Sequence, residues 1–170
     1  LRGDIKIGII PTVGPYLLPY ILMPLHQKLP HLKLLFHENQ TESLTQKLID
    51  GELDALIMAA PIEAEGIESI DLYSEPFYIA MPRDHPLATR TELSVKALAN
   101  EPLLLLEEGH CLRDQTLEIC QLPPHEITQQ IEANSLELLC ELVAGNYGIT
   151  LIPKFQVLAK KKDRRLSLVP

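Results

Sequence analysis

The sequence predicts an α/β fold divided into two small lobes, residues 1–75 and residues 76–170. Three observations carry this expectation. Residues 5–60 alternate β-branched runs with helical stretches, in the order strand, helix, strand, helix, strand. The pattern shifts at 70–86 to extended, turn-rich chain, and a second strand–helix alternation follows. At 170 residues the chain is long for one compact α/β domain, and an apolar share of 46% is enough for a real core.

Each element has its own warrant. Ile5–Pro11 (IKIGIIP) is a β-branched run ended by proline and reads as a buried strand. Gly14–Pro15 and Pro19 then signal a turn and a helix start, since proline fits a first helical turn. That helix runs towards Leu29, with a disturbance expected at Pro24, which has no N–H to donate. Leu32–Glu38 (LKLLFHE) is the second strand. Thr41 is placed to cap a helix over 42–50, with Leu44 and Leu48 on one face and Gly51 as its stop. Leu53–Ala60 is the third strand. This order implies a parallel sheet with right-handed crossovers.

In the second lobe Ile70–Met81 reads as extended, interrupted at Pro76, and Pro82–Pro86 as a turn-rich loop. Pro102–Leu106 is a strand, 112–120 a helix, and Ile127–Ile131 another strand. Asn134 and Glu137 are spaced like a capping box for a helix over 135–144, which Gly145 and Gly148 end. Ile149–Pro153 is a strand, followed by a helix or loop to Lys162, and Leu166–Val169 is the last strand. The chain stops there without a polar tail, which suggests a cut fragment.

The totals exclude several classes. A net charge of −8 argues against nucleic-acid binding by this segment itself, because phosphate contacts need a basic face. Lys160–Lys162 with Arg164 and Arg165 reads as a solvated loop. No apolar run is long enough to cross a bilayer, so no membrane partner is expected. No basic-plus-apolar leader opens the chain, and three cysteines are unlike the dense even sets of secreted scaffolds, so the expected location is cytoplasmic. No CxxC or HxxxH pair completes a ligand set, so neither a metal nor a cofactor is expected.

The segment from Glu107 to Cys120, EEGHCLRDQTLEIC, holds two of the three cysteines nine positions apart. Over nine residues a helix rises about 13 Å and turns about 900°, which puts the two sulfurs on opposite faces. A disulfide needs Cα atoms within about 7 Å. A Cys111–Cys120 bond therefore requires the helix to unwind, a spacing poor for a static staple and suited to a switch. Cys111 lies at the expected helix N-terminus, where the dipole favours a thiolate, with His110 and Arg113 near in sequence. Cys120 lies late in the helix. The roles of attacking and resolving thiol then separate. The competing reading is that these cysteines are small buried apolar residues. Cys140 fits that reading best, on a helical stripe with Leu136, Leu139 and Val143.

GHCLRDQ with a second cysteine downstream, IPTVGPYLLP near the start, HENQT, and GNYGITLIP together resemble the OxyR family, the hydrogen-peroxide-sensing branch of the LysR-type transcriptional regulators. The resemblance covers nearly the whole chain. It implies a bacterial regulatory domain of two Rossmann-like lobes, like periplasmic binding proteins, with the C-terminal return to the first lobe missing. Hydrogen peroxide would oxidise Cys111, the peroxidatic cysteine, and Cys120 would resolve it as a disulfide. His110, Arg113 and Asp114 fall in the matching block and would tune or orient the thiol. Thr12 and Thr41 match positions that line the family's peroxide pocket. Each also follows the carboxyl end of a strand, where ligands bind in open parallel sheets. Further implied are a homodimer or homotetramer, promoter DNA bound through an absent N-terminal winged helix-turn-helix, RNA polymerase, and a thiol reductant such as glutaredoxin or thioredoxin. Cys140 is outside the family's redox pair, and Gln121–Gln130 is the stretch that resembles the family least.

Two other functions share parts of this pattern. An effector domain that binds a small organic inducer has the same fold but gives no reason for paired thiols. A thiol peroxidase would also use a low-pKa cysteine, but it must be recycled by a reductant at every turnover, whereas the resemblance implies a regulator and not an enzyme.

Overall fold

The computed structural model describes residues 3–62, 64–98, 101–123 and 131–170. The chain forms two compact units, Leu1–Tyr73 and Ser74–Pro170.

In the first unit β1 (Gly3–Ile9), α1 (Gly14–Lys28), β2 (Leu32–Glu38), α2 (Thr41–Ile49) and β3 (Ala55–Ile57) follow in the expected β-α-β-α-β order. The sheet order is β2-β1-β3 and every pairing is parallel, with Ile9 opposite both Glu38 and Ile57. The alternation of the sequence sets the packing. Gly8 faces α2, and a Cβ there would lie 2.8 Å from a Leu53 methyl and 3.2 Å from one of Leu44, so only glycine lets the helix approach this closely. Leu44 is fully buried in that contact.

Three expectations are corrected here. Pro24 does not break α1, which continues to Lys28 and closes with Leu29 N–H donating to Leu25 O at 2.9 Å. Pro19 and Pro24 both lie on the exposed side of the helix, away from the core. Thr41 is not the cap of α2. Gln40 holds the cap position with extended dihedrals, and Thr41 is the first helical residue. The third strand is paired only over Ala55–Ile57; just before it Asp54 N–H donates to Lys6 O at 2.9 Å and its Oδ2 accepts from Lys6 N–H at 2.7 Å.

The second unit holds β4 (Phe77–Pro82), β5 (Leu105–Leu106), α3 (Cys111–Cys120), β6 (Glu132–Ala133), α4 (Leu136–Ala144), β7 (Thr150–Pro153), α5 (Lys154–Lys160) and β8 (Leu166–Val169). Its three-stranded ladder, β7-β4-β8, is antiparallel, while β5 and β6 pair in parallel. A parallel bridge from Leu103 to Ile149 adds the start of the predicted Pro102–Leu106 strand. At Gly148 a Cβ would meet the Pro102 carbonyl oxygen at 2.2 Å, so glycine is required for that approach. Ile79, Met81, Leu98, Leu103, Leu105, Leu117, Ile149, Leu151 and Val169 form one buried cluster. Asn134 is not the cap of α4: Ser135 is, its Oγ accepting from Leu138 N–H at 3.3 Å. Of the predicted strand Ile127–Ile131, residues 127–130 lie outside the described residues, and the ladder there is β6.

Candidate functional site

The helix α3 spans both thiols and begins one residue earlier than predicted, with Cys111 as its first residue and Cys120 as its last. It turns Leu112, Thr116 and Leu117 inward, Leu117 into the core cluster. Thr116 Oγ1 donates to Leu112 O at 2.7 Å. At the far end Gln121 takes a left-handed conformation (φ 53°, ψ 35°), and Leu122 N–H donates to Leu117 O at 3.0 Å. The helix is therefore closed over its whole length. All three cysteines are free thiols. Nine steps of 1.5 Å place the Cα atoms of Cys111 and Cys120 about 13 Å apart, well beyond bridging distance.

The two ends differ chemically. Cys111 is half-buried and is the first residue of the helix. Cys120 is also half-buried, but it packs with Ile119 and Leu122 against the core cluster, and that burial pushes its thiol pKa up. Cys140 is 1% exposed in α4, and burial pushes its thiol up to about 12, so it is a protonated core residue at neutral pH.

The neighbours of Cys111 fall into distinct roles. His110 occupies the cap position of α3 without making a side-chain cap bond. Its residue is 5% exposed, and burial lowers the imidazole pKa against the weaker opposing pull of Glu107, 4.0 Å from Nε2. It is a neutral imidazole at pH 7, able to donate or accept one proton, and not a resident cation. Arg113 is committed elsewhere: its Nη1 donates to Leu106 O at 2.6 Å and to Glu132 Oε1 at 2.7 Å. Asp114 is exposed on the first turn. Sequence reasoning missed Glu107 and Glu132. Glu107 lies three residues before His110 and was open to detection; Glu132 pairs across 19 positions and left no local signal.

Thr12 and Thr41 lie in the first unit. Thr12 is 6% exposed in the turn after β1, and Thr41 opens α2 just after β2. Each follows by three residues the strand end Ile9 or Glu38, and these two residues are register partners, so both threonines belong to the same carboxyl edge of the sheet. The Thr41 hydroxyl oxygen is buried and has no hydrogen-bond partner. A cap would have a bonded oxygen; an orphaned buried hydroxyl instead suits a small polar ligand. Glu38, quoted in the sequence as part of HENQT but given no role, reaches the same edge: a Cβ on Gly14 would lie 3.2 Å from its Oε2. Among the described residues no group of three or more His, Cys, Asp or Glu is placed to hold a metal, and no helix is long and apolar enough to cross a membrane.

Comparison with known proteins bears on the family and the fold. Residues 1–170 match the family described as LysR substrate binding domain. A probable hydrogen peroxide-inducible genes activator of Mycobacterium leprae (strain TN) is 46% identical over 169 residues, covering 99% of this chain and 54% of that protein. The chain thus spans about half the length of that relative. The crystal structure of the reduced form of OxyR superposes with a TM-score of 0.90 at 42% identity, covering 99% of this chain and 79% of that one. A hydrogen-peroxide-bound cysteine-to-serine mutant of Corynebacterium glutamicum OxyR gives a TM-score of 0.94 at 36% identity, covering 99% of this chain and 54% of that one.

Proposed function

Because the chain belongs to the LysR substrate-binding-domain family, in its OxyR branch, we propose that it is the regulatory domain of a hydrogen-peroxide-responsive transcription factor. In this reading 1–75 form lobe I and 76–170 form lobe II, which carries the redox pair. The Cys111 thiolate attacks one oxygen of hydrogen peroxide. The O–O bond breaks, hydroxide leaves and takes a proton to become water, and the sulfur, oxidised by two electrons, becomes a sulfenic acid. The Cys120 sulfur then attacks the Cys111 sulfur, the S–O bond breaks, a second water leaves, and a disulfide remains.

One observation carries the reading: two free thiols stand at opposite ends of one closed ten-residue helix. A bridge between them cannot form without a change of shape, which is the property a sensor needs and a static staple lacks. His110, neutral and beside Cys111 in sequence, supplies the proton exchange that the leaving oxygen requires. Thr12 and Thr41 hold peroxide and its waters at the sheet edge through their hydroxyls. Arg113 and Asp114 orient the first turn of α3. The whole protein would act as a regulator in the cytoplasm, self-associating, meeting promoter DNA and RNA polymerase, and returning to the reduced form through a thiol reductant such as glutaredoxin or thioredoxin.

Mass spectrometry of peroxide-treated protein tests this. Wild type should lose two thiols and gain a Cys111–Cys120 bridge at equimolar peroxide. Cys120→Ser should stop at a trappable sulfenic acid, and Cys111→Ser should not react. An unmodified Cys111 in the wild type would refute the proposal.

A further inference from the structure

Arg113 has an unusual pair of partners. Its Nη1 donates both to Leu106 O, on the last residue of β5, and to Glu132 Oε1, on the first residue of β6. Leu106 precedes the cysteine segment in sequence and Glu132 follows it, so one guanidinium joins the two ends of the stretch holding Cys111, α3 and Cys120. The ladder beneath this contact is weak. β5 and β6 pair over only two residues, extended by Glu107 N–H donating to Ala133 O at 2.9 Å. The Arg113 side chain is 11% exposed and that of Glu132 42% exposed. The guanidinium is thus mostly withdrawn from water, while the carboxylate remains open to salt and solvent.

We infer that the Arg113–Glu132 ion pair is a latch that holds the first turn of α3 closed and sets how readily the Cys111–Cys120 bridge forms, with Glu132 as a positioning residue. This rests on the redox-pair reading above. Bringing the two sulfurs together requires α3 to open. Arg113 is two residues from Cys111, so movement of the first turn strains or breaks both of its bonds. The guanidinium donates both bonds, but the Leu106 carbonyl is a neutral acceptor fixed in β5, whereas Glu132 is an oppositely charged one and makes the bond an ion pair. Loss of the carboxylate charge therefore weakens the latch at Arg113 alone and removes no atom from Cys111 or the core cluster. The first chemical step, attack on peroxide, involves no opening and is unaffected.

Glu132→Gln keeps the size of the side chain and removes its charge. Two rates are measured in the chain carrying it. With Cys120→Ser as background, trapping gives the rate of sulfenic acid formation at Cys111. With both cysteines present, quenched mass spectrometry gives the rate of bridge closure after a saturating peroxide pulse. The expected result is closure about fivefold faster with the first step unchanged. Raising the salt concentration should speed closure in wild type and not in Glu132→Gln, a dependence that mere loss of packing would not produce. Glu132→Asp should restore part of the wild-type rate.

Diamide, which bridges nearby thiols without passing through sulfenic acid, separates this inference from the function proposed above. A wild type that ignores peroxide but bridges with diamide, faster in Glu132→Gln, refutes peroxide sensing and keeps the latch. Equal closure rates in wild type and Glu132→Gln with either oxidant, or acceleration independent of salt, would overturn the latch. Absence of a Cys111–Cys120 bridge with both oxidants overturns both.

Discussion

Leu117→Ala tests whether bridging and unwinding are one event. Leu117 is 6% exposed and packs in the core cluster only because α3 is helical. If the bridged form has an unwound α3, Leu117 leaves the core there. Truncating it then destabilises the reduced form by about 3 kcal/mol, within the usual range for a buried leucine, and leaves the bridged form nearly unchanged. Reduction becomes less favourable by that amount. For a two-electron couple about 1.4 kcal/mol corresponds to about 30 mV, so the reduction potential of the pair should fall by about 60 mV. Leu139→Ala is the control. Leu139 is 1% exposed in α4, away from the cysteine helix, so its loss affects both redox forms alike and should leave the potential unchanged. The assay equilibrates each variant in thiol–disulfide buffers of set potential and counts bridged protein by mass spectrometry. A potential in Leu117→Ala within about 10 mV of wild type would show that Leu117 stays packed in both forms, and the unwinding argument would be refuted.

Three further outcomes are expected. Thr41→Val removes an orphaned buried hydroxyl at nearly constant volume, so stability read by urea unfolding should hold or rise by up to about 1 kcal/mol, whereas a capping threonine would lose about 1 kcal/mol. Burial holds the His110 imidazole pKa below its ordinary 6.5, so the folded state binds that proton less tightly than the unfolded chain. Stability is therefore full above 6.5 and declines as pH falls through the folded value, and His110→Gln should flatten the decline in urea unfolding measured down to about pH 5. Cys140→Ala should lower stability by about 1 kcal/mol through lost packing and leave peroxide oxidation unchanged, and in native wild type Cys140 should resist alkylation that labels Cys111.

How much of this was legible in the sequence depends on how local the deciding contact is. The first unit was readable because β-branched runs, glycine and proline mark each of its elements, and strand–helix–strand alternation implies parallel pairing, here in the order β2-β1-β3. The α3 helix was readable for the same reason. Both caps were misplaced by one residue, at Gln40–Thr41 and at Asn134–Ser135, where the path of the incoming strand decides which residue sits outside the helix. The antiparallel ladder was not legible, since Phe77 pairs with Pro153 far along the chain. Arg113 was recognised as significant but aimed at the thiol; its partners, Leu106 O and Glu132, depend on a two-residue β5–β6 pairing that no local pattern encodes.

The position of Cys120 fixes the order of events in the proposed switch. While α3 is closed its thiol packs with Ile119 and Leu122 against the core, and burial keeps it protonated. Reaction therefore starts at Cys111, and Cys120 becomes available only when the helix opens. Two steps with different dependences result: sulfenic acid formation is proportional to peroxide concentration, and closure is a first-order step limited by opening. The rate of bridge formation should rise with peroxide at first and then reach a plateau at the opening rate of α3. The same plateau should appear in stopped-flow mixing at different peroxide concentrations, and Leu117→Ala should raise it, because opening then removes less buried surface. A bridging rate that stays proportional to peroxide, up to concentrations where sulfenic acid no longer accumulates to a higher level, would mean that Cys120 is already within reach of Cys111 in the closed state. The shape change would then follow the chemistry, and no longer control it.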